Sequence, residues 1–504
     1  MFCMKYSPKN DTFNIPEKVV DVAKTLENKG FEAYLIGGCV RDLLLGRKPK
    51  DWDITTDAVP EEIIKHFPDT FYENDFGTVG VVNKTEDESV RVVEVTPYRL
   101  EAKYSNSRHP DSVTFSKNLE DDLKRRDFTI NAIALKIIVK DKNGYKGQIV
   151  DLYKGQEDIK GHIVRTVGNP EERFAEDALR LLRAARIAVE LGFTINIDTS
   201  KAIAKLAENL GKIAGERIRD EFSRILMSDR PMVGLELMRD LNLLPEIVPS
   251  LQKAIGVTQN KAHSYDVWEH SLRTVQHAAK KGWPLEIRLA ALFHDIGKPI
   301  ARRFSPEKND WTFHGHDVIG VKIAEKSMGD LKYPNKTIDK VAKLVRWHMF
   351  FSDTEQITHS AVRRLVANVG QENVWDLMNL RICDRIGTGR PKEDPYRLRK
   401  YRAMVEEVMR DPVTVAMLKI DGNTIMKTAS LEPGPKIGFI LNALLEEVLD
   451  NPKLNTSEYL EKRATQMARM KDRELAELGK KAKDRRNLEE ETAVKKIRSK
   501  YWVK

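Results

Sequence analysis

Asp51 and Asp53 stand one residue apart in Lys50-Asp51-Trp52-Asp53, and this pair is the first sign of chemistry in the 504-residue chain. On extended backbone, positions i and i+2 share a face, so both carboxylates reach toward one point. Two such groups can hold Mg²⁺, as one ion or as two about 4 Å apart that bridge a triphosphate and an attacking hydroxyl. Just upstream, the apolar residues 31–36 run into Gly37-Gly38, with Arg41 one helical turn on. Paired glycines let a phosphate approach the backbone, and a guanidinium can grip it with two N–H donors. Glu94 lies on a later apolar stretch, either as a third acid beside the pair or as a solvent-facing glutamate. In Arg125-Arg126-Asp127-Phe128-Thr129-Ile130-Asn131-Ala132, Arg126 can bind phosphate. Asp127 and Asn131, four apart, can face a ribose hydroxyl or position Arg126, or Asp127 can cap a helix. Finally, Asp177, Arg180, Arg183 and Arg186 follow Glu176 at three-residue spacing, a stripe if they share one helix. A carboxylate beside guanidinium groups can offer acceptors and donors to a base edge, and the same spacing describes an exposed helix laced by ion pairs.

A second constellation occupies the later half: His270, His294-Asp295, His316, His348 and Asp384. Adjacent His and Asp can give ligands to a metal bridged by water. His270 and Asp384 can complete a first site, with His316 and His348 available for a second. Lys298 is either a phosphate contact or a surface lysine.

The elements that must position these groups divide by pattern. Residues 15–29 read as a helix stopped by Gly30. Residues 31–36, 79–82 and 89–95 read as strands, with a hairpin turn at 84–88 and a further apolar run at 130–139. From Pro170 the pattern becomes helical, with one helix over 173–191 and no clear strand through about residue 440. Residues 245–261 read as a link, and Gly389, Pro391 and Pro395 mark another break. Beyond about residue 461 the chain is rich in Lys, Arg and Glu, as a solvated helix or a basic tail. A hydrophobic fraction of 41% with 32% charged residues describes a globular chain, and its length predicts about three domains. No run approaches the roughly 18 apolar residues of a membrane helix. Cys3, Cys39 and Cys383 form no C-x-x-C pair, which excludes a zinc ribbon and a disulfide framework. The first twelve residues lack the apolar core of a signal peptide, so a cytoplasmic setting is expected. A net charge of +9 fits a polyanionic partner such as RNA, and equally many mildly basic proteins without one.

Taken in order, G-G-x-x-R-D, D-x-D, R-R-D-F-T-I-N-A, D-L-Y-x-G-x-x-D-I, E-D-x-L-R-x-x-R-x-x-R and E-R-I-R-D-E resemble the class II CCA-adding tRNA nucleotidyltransferases over residues 30 to about 230. Bacterial poly(A) polymerases share that superfamily. The H…HD…H…H…D order resembles the HD phosphohydrolase superfamily over about residues 265–390. The resemblance implies an α+β multidomain chain: a small nucleotidyltransferase head with a mixed sheet (1–150), a helical neck (151–245), an HD domain (255–390), and a helical C-terminal body with a basic tail (391–504). It implies Asp51 and Asp53 as the catalytic Mg²⁺ pair, and Gly38 and Arg41 on the triphosphate. Arg126 and Asp127 lie near the ribose with Asn131 in support, and residues 151–158 form a hinge motif. Glu176, Asp177 and Arg180 match the base-templating motif, with Arg183 and Arg186 reaching the triphosphate. Arg217, Glu221 and Leu226 support the neck. The six His and Asp residues would bind a divalent transition metal. The implied partners are tRNA, CTP and ATP, with no membrane, and the oligomeric state is left open. In similar enzymes an HD module is associated with hydrolysis of nucleotides or 2′,3′-cyclic phosphates, which suggests 3′-end repair. Residues 99–113 match the flexible loop of full CCA-adding enzymes, but Ala102 replaces its glycine and Asn106 its acid. A poly(A) polymerase, a CC-only enzyme and an HD hydrolase are the alternatives.

Overall fold

Alternating burial orients the acidic pair. In Asp51-Trp52-Asp53-Ile54, Trp52 and Ile54 are buried in the core, and the two aspartates turn to the other face. The computed structural model describes residues 12–72, 77–101, 113–261, 263–350, 357–471 and 474–475. These form two compact units, divided between Pro249 and Ser250.

The first unit is built on an eight-stranded sheet. Its strands are β1 (Thr12–Phe13), β2 (Ala33–Ile36), β3 (Asp53–Thr56), β4 (Thr70–Tyr72), β5 (Val79–Val82) and β6 (Val92–Pro97). A separate ribbon pairs β7 (Arg99–Glu101) with β8 (Val113–Phe115), and β9 (Ile133–Asp141) and β10 (Gly144–Asp151) complete the sheet. The order is β1-β10-β9-β2-β3-β6-β5-β4. Only β3 and β6 run parallel, so the sheet is mixed. Helix Glu17–Asn28 buries Val19, Val20, Val22, Ala23 and Leu26 and packs on β2 and helix Pro60–His66. The helix Leu179–Leu191 packs on Gly215–Met227 and Pro231–Asp240.

Several expectations need correction. The segment 84–88 is not a simple hairpin turn, because Asp87 caps a short helix, Glu88–Arg91, and β6 starts only at Val92. Residues 129–131 form a 3₁₀ turn before β9, so Asp127 and Asn131 are not one α-helical turn apart. Residues 173–191 are two helices: Pro170–Glu176 ends, Asp177 is extended, and the chain restarts at Leu179. The helical half also holds strands, in the pair Ile163–Val164 with Thr194–Ile195 and the hairpin Arg303–Ser305 with Asp310–Thr312.

In the second unit, Val267–Lys280 packs against Val374–Gly387, with Leu285–Phe293, His316–Asp330 and Asn335–Trp347 around them. Gly297 is required here, because a Cβ would fall 2.1 Å from the His316 carbonyl oxygen. A small helical module follows, whose core joins Leu418, Ile425, Ile440, Leu444, Leu460 and Met467. There Lys436 donates to the Met470 carbonyl at 2.7 Å, as in a plain helix connection. No described helix is long and apolar enough to cross a membrane.

Candidate active site and metal centre

The parallel register sets Asp53 directly opposite Glu94, and the Glu94 N–H donates to the Trp52 carbonyl at 3.0 Å. Glu94 is thus the third acid beside the pair. Burial and then the Glu94 charge push the Asp53 carboxyl up to about 7, against the pull of Arg126. Such a site accepts a cation, which would relieve the repulsion between like charges.

Gly37 closes over the acids. Its φ is +80°, and a Cβ there would lie 3.2 Å from Arg126 Nη1 and 3.3 Å from Asp53 Oδ2. Gly37→Ala is therefore expected to cost about 1–3 kcal/mol of stability and at least tenfold in nucleotide addition. Unfolding curves and single-turnover extension would check it.

From here a chain of polar contacts runs through both halves of the unit. Arg41 Nη1 donates to Asn131 Oδ1 at 2.9 Å, Asn131 Nδ2 to Asp127 Oδ1 at 3.2 Å, and Arg183 Nη2 meets Asp127 Oδ2 at 2.7 Å. Burial alone would raise the Asp127 carboxyl, but Arg183 and Arg180 hold it down to about 2. Asp127 also accepts the Phe128 N–H at 2.8 Å, so it orders the 3₁₀ turn and does not cap an α-helix. Arg180 pairs with Glu176 and donates to the Arg125 carbonyl at 3.3 Å. Asp177 accepts the Leu179 N–H at 3.0 Å and pairs with Arg217 at 2.9 Å. The supposed stripe is therefore a corner: Asp177 starts the helix that carries Arg180 and Arg183.

Arg186 departs from the expected phosphate contact. It is buried and bound between Glu221 and Glu190. A guanidinium held by Glu221 at Nε and by Glu190 at Nη1 ties the two helices together. Asp151 accepts the Gly155 and Gln156 N–H groups at 2.8 and 2.9 Å, and Asp158 binds Thr129 at 2.7 Å.

Sequence reasoning missed Asp122. It is fully buried, takes Arg125 Nε at 2.8 Å and Arg126 Nη2 at 3.1 Å, and meets Thr55 Oγ1 at 3.2 Å. Burial opposes its charge, yet Arg125 and Arg126 bring its pKa below the usual carboxylate value. Asp122→Asn is expected to cost about 3 kcal/mol, since two arginines lose their buried counter-charge, and urea unfolding of the full chain measures it. The i+3 and i+4 spacing from Asp122, on helix Leu119–Lys124, to the two arginines just past its end was the available signal.

In the second unit all six metal candidates converge. His270, His294 and Asp384 form one buried triad, and Asp295, His316 and His348 form another. Asp295 belongs to both neighbourhoods: Oδ2 lies 3.2 Å from both His270 and His294, and Oδ1 lies 3.3 Å from His316 and 3.6 Å from His348. The Nδ1 atoms of His294, His316 and His348 face the carbonyls of Ala291, Phe313 and Val345 at 2.9, 2.7 and 2.7 Å. Those carbonyls require Nδ1–H tautomers, so each Nε2 turns a lone pair inward. Yet His270 Nε2 lies 2.9 Å from His294 Nε2, and His316 Nε2 lies 3.2 Å from His348 Nε2. Inward-turned imidazole nitrogens together with two carboxylates form a donor set that suits divalent metals, and without one a proton on His270 Nε2 serves Asp295 and Asp384. Burial alone would lower the His270 pKa, but bonds to Asp295 and Asp384 lift it to about 9. Lys298 is no surface lysine: it is buried and reaches Asp295 and Gln259, each at 2.6 Å.

Comparison with known proteins finds three families along the chain. The poly A polymerase head domain family matches residues 33–165, the family described as the probable RNA and SrmB-binding site of polymerase A matches 192–255, and the HD domain family matches 267–386. A CCA-adding enzyme of Leuconostoc mesenteroides is 32% identical over 89% of this chain and 96% of its own length. A CC-adding tRNA nucleotidyltransferase of Thermus thermophilus is 34% identical over 82% of this chain and 89% of its own. The crystal structure of the Bacillus stearothermophilus CCA-adding enzyme in complex with CTP superposes with a TM-score of 0.64 at 28% identity, over 90% of this chain and 97% of that one. At 32% identity to a relative of which it covers 96%, the chain belongs to the CCA-adding tRNA nucleotidyltransferase family.

Proposed function

We propose that the chain adds C, C and A in turn to the 3′ end of tRNA, using CTP and ATP without a nucleic-acid template. The observation that carries this is the placement of Asp53 against Glu94 under Gly37 and beside Arg126, in a chain of this family. Asp51 and Asp53 are assigned as the Mg²⁺ ligands, and when bound the ion neutralises phosphate charge and activates the attacking hydroxyl. The tRNA 3′-hydroxyl attacks the α-phosphate and pyrophosphate leaves. Gly37 and Gly38 leave room for the triphosphate, with Arg41 and Arg126 donating to it. Asp127, held by Arg183 and Asn131, faces the ribose. Asp177 and Arg180 are assigned to the base edge, each fixed in orientation by a neighbour, Arg217 for the first and Glu176 for the second. Preorganised donors of this kind supply most of the rate in phosphoryl transfer. Residues 1–150 serve as the head and 151–245 as the neck. Residues 255–390 form a phosphohydrolase-like module on a divalent transition metal, and 391–504 form the body. A cytoplasmic setting suits tRNA as the partner.

One specific observation favours a second reading: the Thermus thermophilus relative is a CC-adding enzyme. Ala102 and Asn106 of the loop that bears on this choice lie outside the described residues. Extension of a tRNA lacking CCA, with Mg²⁺ and CTP alone, ATP alone or both, tests the proposal. Two C additions followed by one A support it. Two C without A give the CC-only reading, long A tracts give a poly(A) polymerase, and no extension overturns the head assignment.

A further inference from the structure

The two strands that carry the acids of the head also carry an anchor for one of its cations. Thr55 follows Asp53 at i+2 on β3, and Thr96 follows Glu94 at i+2 on β6, so the threonines stand in register as the acids do. The step along the strands is roughly 7 Å. Thr55 Oγ1 lies 3.2 Å from both the Thr96 carbonyl oxygen and Asp122 Oδ2. Thr96 Oγ1 meets Thr78 Oγ1 at 3.2 Å. Thr55 and Asp122 are both fully buried.

From this anchor Asp122 grips two guanidinium groups by the same edge. Oδ1 takes Nε and Nη2 of Arg125. Oδ2 takes Arg126 Nη2 at 3.1 Å and Nε at 3.4 Å. The guanidinium is a rigid planar fork, so fixing one edge fixes the direction of the opposite nitrogen. In Arg126 that nitrogen is Nη1, and it lies 3.2 Å from the point where a Gly37 Cβ would sit. Asp53 Oδ2 lies 3.3 Å from the same point. The cation and the acid thus meet at one corner, under the glycine pair assigned to the triphosphate.

A carboxylate that served only to balance two arginines could do so at the surface, where desolvation costs little. Asp122 is enclosed instead, and its remaining contact is a strand hydroxyl two residues from the catalytic acid. An arginine left to itself samples many rotamers and gives up that freedom when it binds phosphate, whereas a held one does not. We propose that Asp122 is a positioning residue for nucleotide addition: it ties Arg126 to the β3–β6 strand pair, so that Nη1 meets the triphosphate at a fixed place relative to the metal-binding acids. This rests on the reading of the head as a nucleotide-adding centre with Arg126 on the triphosphate. The contribution is the same for CTP and ATP, because both carry that group, whereas changes at Asp177 or Arg180 would separate the two.

The test is calorimetric binding of CTP, ATP and inorganic tripolyphosphate, with Mg²⁺, to the full-length chain. An Asp295→Asn background removes the carboxylate that joins the two metal triads of the second unit. Asp122→Asn should weaken all three probes at least tenfold and to the same extent, with the binding stoichiometry unchanged. Added to Arg126→Ala, it should change affinity by less than twofold, because its effect passes through that arginine. Thr55→Val keeps both ion pairs and removes the anchoring hydroxyl, and it should weaken the probes two- to fivefold. Thermal melting shows which variants are folded, and Thr55→Val carries the test if Asp122→Asn is not. Unchanged affinity in the folded variants overturns the proposal. So does a fall in stoichiometry alone, which marks a merely structural role, or a tenfold loss that persists without Arg126. Extension of a tRNA lacking CCA by the same background chain scores the underlying reading separately. If extension is absent while the probes bind and Asp122→Asn weakens them, the positioning role stands and the nucleotide-adding reading falls. If none of the probes binds, both fall.

Discussion

Asp53→Asn is expected to lower nucleotide addition about a thousandfold or more while the chain stays folded. The substitution keeps the shape of the side chain and removes one of the two carboxylates assigned to Mg²⁺, together with the charge stabilisation that such a site provides. It also removes the like charge that stands in register with Glu94. The metal-free variant should therefore unfold at a temperature no lower than the metal-free wild-type chain. The two readouts separate a chemical loss from a structural one. Single-turnover extension of a tRNA ending before CCA gives the rate, and thermal melting in EDTA gives the stability. A variant that loses activity only because it unfolds would argue against the assignment.

The second large effect is expected at Asp295. Its two oxygens face four histidines drawn from both triads, so it joins the two halves of the centre. Asp295→Asn should remove bound metal and reduce phosphodiester hydrolysis at least a hundredfold, while CCA addition stays within twofold. Metal content by atomic emission, together with hydrolysis and extension assays on one preparation, measures all three. If addition falls in parallel with hydrolysis, the two chemistries are coupled and the division of labour proposed here is wrong. The sign of the stability change is informative too. Without metal, the inward-facing imidazole nitrogens lose their principal anionic partner, so the apo variant should melt below the apo wild type.

How much of this was legible before the fold was known depends on what each residue does. The six His and Asp residues of the second unit were legible because metal ligation needs fixed side-chain types, and their order along the chain survives folding. Asp51 and Asp53 were legible because the strand period places them on one face, with Trp52 as the counterweight on the other. Glu94 stayed ambiguous, since only the β3–β6 register decides which way a strand glutamate looks. Asp177 was placed within a helix because Glu-Asp-Ala-Leu-Arg reads as continuous helix by propensity. Its carboxylate instead takes the Leu179 N–H and begins a new one, the competing use of an aspartate at a cap. The Glu221 partner of Arg186 was not legible because nothing local announces a contact 35 residues away. The hairpin at 303–312 was passed over although Asn309, with φ of +44°, sits where a turn residue belongs.

The parallel pairing of β3 with β6 also bears on how the molecule is made. Asp53 and Glu94 sit in adjacent parallel strands, and the chain between them forms β4 and β5 on the far side of β6. Contacts of that sequence separation carry a loop-closure cost and form late, whereas helices of the second unit, such as Val267–Lys280 and Leu285–Phe293, meet over short connections. During refolding, helical signal should return before the head can bind Mg²⁺. The nucleotide-adding centre would then be among the last features to mature, and a nascent or partly refolded chain would stay catalytically silent until the sheet is complete.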